Sequence, residues 1–249
     1  MFRLAIALGV VSVMLGGTAR TAHAGRSFYG WLIGPEVMPE RGVELQTWTW
    51  EENRVGPDHE KTTAFLWAPY IGITDRLELG LPVEARWVDS DVRASPSFTI
   101  YQYGVEARYR FVSPDPVDKP DFVPLARIAV KRDVISRDAL RLETDLVGAY
   151  DAGRVQVLAD IGFVAEFSKN SGNTQEIHPG VGVSVEVIPD LRFGAEAYAQ
   201  IEMQSGGDRW YVAGPDIAWT HGRFWLSGVY AVGISGIKDA PRVQWGILF

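Results

Sequence analysis

The sequence contains no cysteine and only four histidines. Without cysteine there is neither a disulfide framework nor a lipid-modified N-terminal Cys. Beyond the first residues there is no long apolar run either. Charges or Gly/Pro turns interrupt every later apolar segment, which excludes a bundle of membrane-spanning helices. No long amphipathic helix pattern appears. Basic residues are outnumbered, 24 Lys and Arg against 31 Asp and Glu, for a formal net charge of −7. An acidic chain argues against a nucleic-acid partner.

What is present begins with an export signal. Arg3 supplies a positive start, Leu4 to Leu15 is apolar, and Ala22-His23-Ala24 is a small-x-small cleavage site ahead of Gly25. Residues 1–24 are therefore expected to be a secretory signal peptide. Residues 25–249 are expected to be the mature domain. The apolar run is too short for a retained spanning helix, which needs roughly 20 residues. Removal of the signal takes away Arg3 and Arg20 and leaves the mature chain more acidic.

The mature chain alternates apolar and polar residues in segments separated by turn residues. The period of two predicts strands at 42–52, 60–73, 76–88, 98–113, 122–134, 139–151, 154–166, 175–188, 190–203, 208–220, 222–233 and 241–249, about twelve in all. Tight turns follow the even strands at Thr74-Asp75-Arg76, Asp151 to Arg154, Pro189-Asp190 and His221-Gly222-Arg223, with the Pro-rich Ser113 to Asp121 as the exception. Somewhat longer polar loops follow odd strands at Asn53 to His59, Asp89 to Ser97 and Ser168 to Thr174. That asymmetry suits an up-and-down barrel with both ends on the periplasmic side. None of these loops is long enough to fold inward and constrict a pore, unlike those of a general porin.

In the third strand Leu77, Leu79, Leu81, Val83, Ala85 and Trp87 share one face, and Glu78, Gly80, Glu84 and Arg86 the other. The fourth, seventh and ninth strands show the same division. Alternation alone does not say which face is inside. A soluble sandwich would turn its apolar face inward, and a membrane barrel turns it toward lipid. Three features decide for the barrel: the export signal, strands of about 10 to 14 residues, which are long for a sandwich, and aromatics near strand ends. Trp67, Tyr70, Trp87, Phe111, Tyr150, Trp219, Phe224 and Phe249 are placed as interfacial girdles require. The predicted fold is all-β, a transmembrane antiparallel up-and-down barrel. Its last strand sets Val243, Trp245, Ile247 and Phe249 on the lipid face against Gln244 and Gly246, and closure requires Val43 to Glu52 to pair with Arg242 to Phe249. The first strand is the less regular partner, because Trp48 and Trp50 share a face with Glu44 and Gln46. The register is expected to fail at that seam.

The terminal Phe249 on an alternating strand resembles the assembly signal of Gram-negative outer-membrane barrels, which implies the barrel-assembly machinery and outer-membrane lipid as partners. Gly72-Ile73-Thr74-Asp75-Arg76-Leu77-Glu78-Leu79-Gly80-Leu81 resembles a strand, tight turn and strand of the transporter-like outer-membrane family associated with the meta-pathway of phenol degradation. Ile188 to Glu196 repeats that pattern, and Pro39 to Leu45 resembles the family's opening segment. The resemblance implies passage of small hydrophobic or aromatic compounds.

The inner face carries the chemistry. Alternation places Glu84, Arg86, Glu106, Arg108, Arg110, Arg127, Arg141, Glu143, Asp160, Glu186, Arg192 and Glu196 toward the lumen, with Glu78, Lys131, Asp145, Glu166, Glu202 and Asp216. A ring of one sign would suggest an ion-selective pore. Mixed signs suggest pairing across the lumen. They form either a hydrated salt-bridge network filling a narrow interior, or a polarised passage with Arg108, Arg110, Arg127 and Arg141 on one wall and acids of strands seven to nine on the other. Pro215 and Pro179 each remove a ladder donor, at a bulge, a lateral gap or a strand end. Gly180 and Gly182 read as strand glycines.

An enzyme is the third reading, after a channel and a closed structural barrel. The His-x-Ser pair of barrel phospholipases is absent, since His59, His178 and His221 are followed at the second position by Lys61, Gly180 and Arg223. Asp58-His59 with Glu51, Glu52 and Glu60 could activate water in a barrel protease, but a solvated polar loop explains them better. Ser184 lies too far along its strand from His178 and Glu176 for a triad. No catalytic residue, metal site, phosphate loop or cofactor is assigned. The expected protein is a narrow outer-membrane channel or transporter for small molecules.

Overall fold

The computed structural model describes residues 27–56, 59–91, 97–112, 121–135, 137–169 and 172–249. The expected signal peptide, most of the Ser113 to Asp121 connection and Asp58 lie outside the described residues. The chain forms a closed antiparallel barrel of twelve strands. They are β1 (Val43–Arg54), β2 (Lys61–Thr74), β3 in two pieces (Leu77–Gly80 and Val83–Asp89), β4 (Ser97–Arg110), β5 (Phe122–Asp133) and β6 (Leu140–Ala152). They continue as β7 (Val155–Ser168), β8 (Gly172–Ile188), β9 (Leu191–Glu202), β10 (Arg209–His221), β11 in two pieces (Phe224–Val229 and Val232–Ser235) and β12 in two pieces (Ile237–Asp239 and Arg242–Leu248). Each pairs with its neighbours in sequence, so no crossover is needed.

The seam between β12 and β1 holds without the expected failure. Glu44 lies opposite Leu248, Trp48 opposite Gln244 and Trp50 opposite Arg242. The Phe249 amide donates to the Val43 carbonyl at 2.8 Å, fastening the terminal residue to the first strand. The irregularity sits further along, as a register shift between Asn53 and Arg54 where β1 meets the second end of β12. The stretch between 233 and 241 is also more ordered than its turn residues suggest. It continues β11 and opens β12 as a hairpin around Gly236, whose φ of +76° is the left-handed conformation that glycine adopts without a Cβ penalty.

Side chains divide across the wall as a membrane barrel requires. Leu79, Leu81, Val83, Trp87, Val105, Ile161, Val181, Phe193 and Val243 are exposed on the outside, while Glu78, Glu84, Glu106, Arg108, Asp160 and Glu196 are buried on the inside. Burying charge at the centre and exposing hydrocarbon at the rim is unfavourable in water and favourable in a bilayer, where one outward Arg or Lys at mid-depth costs about 2–4 kcal/mol. One aromatic departs from the expected girdles. Tyr70 is 1% exposed and faces inward, three residues from the outward Trp67 and therefore on the opposite face. Pro215 keeps its acceptor in the ladder, taking the Tyr230 amide at 3.2 Å. Near Pro179 the β8–β9 pairing runs to Tyr198 with Gly180 and resumes at Ile201 with Ile177, skipping Ala199 and Gln200.

Candidate functional site

The barrel is not empty. Residues 27–38, which lie ahead of the first predicted strand, run inside the barrel. Tyr29, Trp31, Leu32 and Met38 are between 0% and 7% exposed. Irregular backbone at membrane depth must satisfy its polar groups on protein or water, and here carboxylates of the wall receive them. Glu196 on β9 accepts the amides of Gly30 at 2.7 Å, Trp31 at 3.1 Å and Leu32 at 3.2 Å. Asp160 on β7 accepts the Ile33 amide at 3.0 Å, and Glu78 on β3 accepts the Met38 amide at 2.7 Å. The Tyr29 carbonyl takes Ser227 Oγ at 3.0 Å and the Gln244 side-chain amide. Tyr29 in turn donates its hydroxyl to the Gln156 carbonyl at 3.1 Å, and the Trp31 indole donates to the Ala240 carbonyl at 2.9 Å.

Gly180 and Gly182 on β8 show how the wall makes room. A Cβ at Gly182 would stand 2.5 Å from the Tyr29 ring, and one at Gly180 would stand 2.2 Å from a Leu32 methyl. Glycine in a strand often marks such a close approach. The signal for this plug in the sequence was indirect: two glycines on one inner face, and inner acids with no basic neighbour.

The charged residues assigned to the lumen by alternation fall into local sets. Arg127 on β5 contacts Glu106 at 2.8 Å, Glu143 at 2.9 Å and Asp145 at 2.6 Å. Arg108 reaches Glu106 at 2.7 Å and the Tyr70 hydroxyl at 3.1 Å. Glu143 also holds Lys131 at 2.8 Å and Arg141 at 2.9 Å, and Arg141 approaches Glu166 at 3.7 Å. Glu84 pairs with Arg86 at 2.6 Å. Arg110 meets Glu36 of the plug at 2.6 Å, a contact alternation could not show. Near the turn end, Arg192 lies 3.6 Å from Glu186, donates to Ser184 Oγ at 3.0 Å and stacks 4.1 Å from the Phe28 ring centre. Asp216 is 3% exposed, and among the described residues neither of its carboxylate oxygens has a hydrogen-bond partner.

On the loop side of the plug remains a cavity of about 130 Å³. One side is aromatic and apolar, with Trp31 and Ile33 of the plug, Trp48 and Trp50 of β1, Leu66 and Tyr198. The other is ionic, with Arg86, Lys131, Arg141 and their carboxylates. Trp31 stacks on Tyr198 at 5.0 Å between ring centres and meets Trp210 edge-on at 5.5 Å, so the plug forms part of the aromatic side. Arg242 on β12 borders this cavity and a smaller one of about 10 Å³ beside the plug. It was not among the residues assigned to the lumen, because it opens the last strand where the period of two is shortest.

The hydrolytic candidates separate. His59 Nδ1 lies 3.0 Å from Asp91 Oδ2, both well exposed on a loop. His178 Nε2 lies 2.8 Å from Glu176, while Ser184 holds Arg192 instead. Among the described residues no group of three or more His, Asp or Glu could hold a metal ion.

A plugged barrel of twelve strands with an apolar outer belt defines the class of outer-membrane-type β-barrels. The solved structures it is similar to are of this kind. The COG4313 outer membrane channel from Pseudomonas putida F1 superposes with a TM-score of 0.61 at 11% identity, over 86% of this chain and 97% of that one. The translocator domain of the autotransporter NalP from Neisseria meningitidis gives 0.51 at 12% identity, over 98% and 94%. The KdgM porin in complex with disordered oligogalacturonate gives 0.53 at 8% identity, over 82% and 98%. At these identities the likeness is one of fold. No family profile matches the chain. No curated protein is similar to it in sequence.

Proposed function

We propose that this chain is an exported outer-membrane barrel serving as a narrow, gated passage for small hydrophobic or aromatic molecules, and that it is not an enzyme. The observation that carries the reading is the plug. It fills the lumen, yet it is held by hydrogen bonds from its own backbone to wall carboxylates and leaves an aromatic-sided cavity against it. Such contacts can be exchanged for water, so the arrangement suits a stopper that moves. The resemblance of Gly72 to Leu81 and Ile188 to Glu196 to the transporter-like family of the phenol meta-pathway supports the same substrate class. In this reading residues 1–24 are removed on export and the plug begins beside the new N-terminus. Phe249 is the residue the assembly machinery reads.

The test is planar-bilayer conductance and liposome uptake with the wild-type protein and with a variant lacking residues 27–38. A wild type that opens briefly and admits small aromatic solutes, beside a steadily conducting variant, is the expected outcome. If neither conducts and neither admits any solute, the passage reading is wrong. A second reading, a structural barrel with a closed lumen, draws on the ion-pair network around Arg127. It predicts that the variant conducts while the wild type never does and takes up nothing.

A further inference from the structure

We infer that Arg242 is an anion anchor and that the cavity above the plug binds a single-ring aromatic carboxylate, its carboxylate on the Arg242 guanidinium and its ring against the tryptophans. This names the ligand class for the passage proposed above and rests on that reading.

Arg242 is unlike the other cations of the lumen. Every other basic side chain bordering the cavity has a carboxylate partner: Arg86 has Glu84, Lys131 and Arg141 share Glu143, and Arg127 has Asp145. Arg242 is 8% exposed, and among the described residues its side chain makes no hydrogen bond and no ion pair within 4.0 Å; Glu196 and Glu84 act on its charge only from farther away. Its Nε is buried without an acceptor. Glu196, the acid of the neighbouring wall, is engaged by three plug amides.

The surroundings of the guanidinium are aromatic. Its centre lies 4.5 Å from the Trp48 ring centre, 4.8 Å from Trp31 and 5.3 Å from Trp50. Ring faces stabilise the positive charge. They do not satisfy the five N–H groups, which lie in the guanidinium plane and call for acceptors there. A planar carboxylate matches that edge with two parallel hydrogen bonds. A phenyl ring attached to it would extend along the tryptophans into the cavity. At about 130 Å³ the cavity is of the order of the about 150 Å³ that admits one benzene ring, which limits the ligand to a single ring with its carboxylate seated on Arg242. An unpaired buried cation among three indoles is costly for a purely structural role, and Met or Leu would fill the same space without a charge.

The experiment is an equilibrium titration of tryptophan fluorescence on the intact protein in a non-aromatic detergent. The probes are benzoate, benzyl alcohol as a ring without the charge, and acetate as the charge without the ring. Benzoate is expected to bind at least tenfold more tightly than either. Arg242→Met should weaken benzoate at least tenfold and leave benzyl alcohol within about twofold, and Arg242→Lys should fall between. Equal affinity for benzoate and benzyl alcohol overturns the proposal. So does acetate displacing benzoate at equal concentration, or an Arg242→Met protein that binds benzoate as the wild type does. If Arg242→Met does not give a heat-modifiable band on gels, the three-probe comparison on the wild type decides alone. Binding is read with the plug in place, so the two ideas fail separately. Benzoate binding without conductance removes the passage and keeps the site. Conductance without benzoate preference does the reverse.

Discussion

The two walls of the lumen use their charges differently. On β3 to β6, acids and bases alternate at distances that let them pair with one another: Glu84 with Arg86 and Glu106 with Arg108 along one strand, and Arg127 with Glu106 and Asp145 across neighbouring strands. On β7 and β9 two acids, Asp160 and Glu196, have no base within ion-pair distance among the described residues, and they accept backbone amides of the plug instead. Residues two apart on a strand share a face, so the first wall can be satisfied within itself. The second cannot, and it becomes the place where a separate segment attaches. The charges of the first wall mainly hold the barrel together and reach the plug only at its far end, through Glu78 and Arg110, while Glu196 and Asp160 hold the stretch from Gly30 to Ile33.

The largest effect should come from breaking the self-satisfied wall. Glu106 is 3% exposed and contacts Arg127 at 2.8 Å, Arg108 at 2.7 Å and the Tyr70 hydroxyl at 3.0 Å. Glu106→Ala takes one carboxylate from each of two buried guanidinium groups; Arg127 keeps Glu143 and Asp145 and Arg108 keeps Glu78 at 3.6 Å, so the cost falls toward the low end of the about 3–5 kcal/mol for a buried pair broken outright. The unfolding midpoint in detergent should fall markedly while the folded fraction stays as closed as the wild type. If conductance rises instead, the division of labour between the walls is wrong.

Glu196→Ala attacks the other wall and should do the opposite. Three plug amides lose their acceptor, at about 1–3 kcal/mol for each group left unsatisfied, less whatever water recovers. Because the plug can leave, the loss appears as release rather than as unfolding of the barrel. Hydrogen exchange should lose protection at Gly30, Trp31 and Leu32, and openings should become at least tenfold more frequent, with the global midpoint nearly unchanged. Gly182→Val should release the plug by a different route, since its Cβ would meet the Tyr29 ring at 2.5 Å. A Gly182→Val barrel that keeps its plug protected would show that the Tyr29 ring can move aside.

The wall was legible in the sequence for the same reason that the plug was not. A strand between lipid and water carries its environment in every second residue, so twelve strands and their faces follow from a period of two, and so does closure of the first strand on the last, but not the register that sets Glu44 opposite Leu248. Tyr70 was misplaced because nearness to a strand end was weighed above parity, although its odd spacing from Trp67 turns it inward. Residues 27–38 have no period to read. The amides that Glu196 receives are backbone groups every residue but proline carries, so nothing in Gly30, Trp31 and Leu32 as residue types announces the contact, and the complementary wall records it instead. Arg242 was missed for a related reason: what sets it apart is the absence of an acid near it in space, and alternation reports faces rather than neighbours.

The smallest effect tests whether the plug's hold is spread or concentrated. Ser227 and Gln244 of the wall and Ser27 of the plug all donate to the Tyr29 carbonyl, so Ser227→Ala removes one of three donors and leaves that oxygen satisfied. The expected loss is one ordinary hydrogen bond, about 0.5–1.5 kcal/mol. It should appear as a few-fold rise in the frequency of openings and in amide exchange at Tyr29, with no change in the unfolding midpoint. An effect as large as that of Glu196→Ala would place the hold at Tyr29 rather than at the carboxylate of β9. No effect at all would mean that the remaining donors suffice, and the double variant with Gln244→Ala, which removes both wall donors and leaves only Ser27 of the plug itself, should then open the barrel further than either change alone.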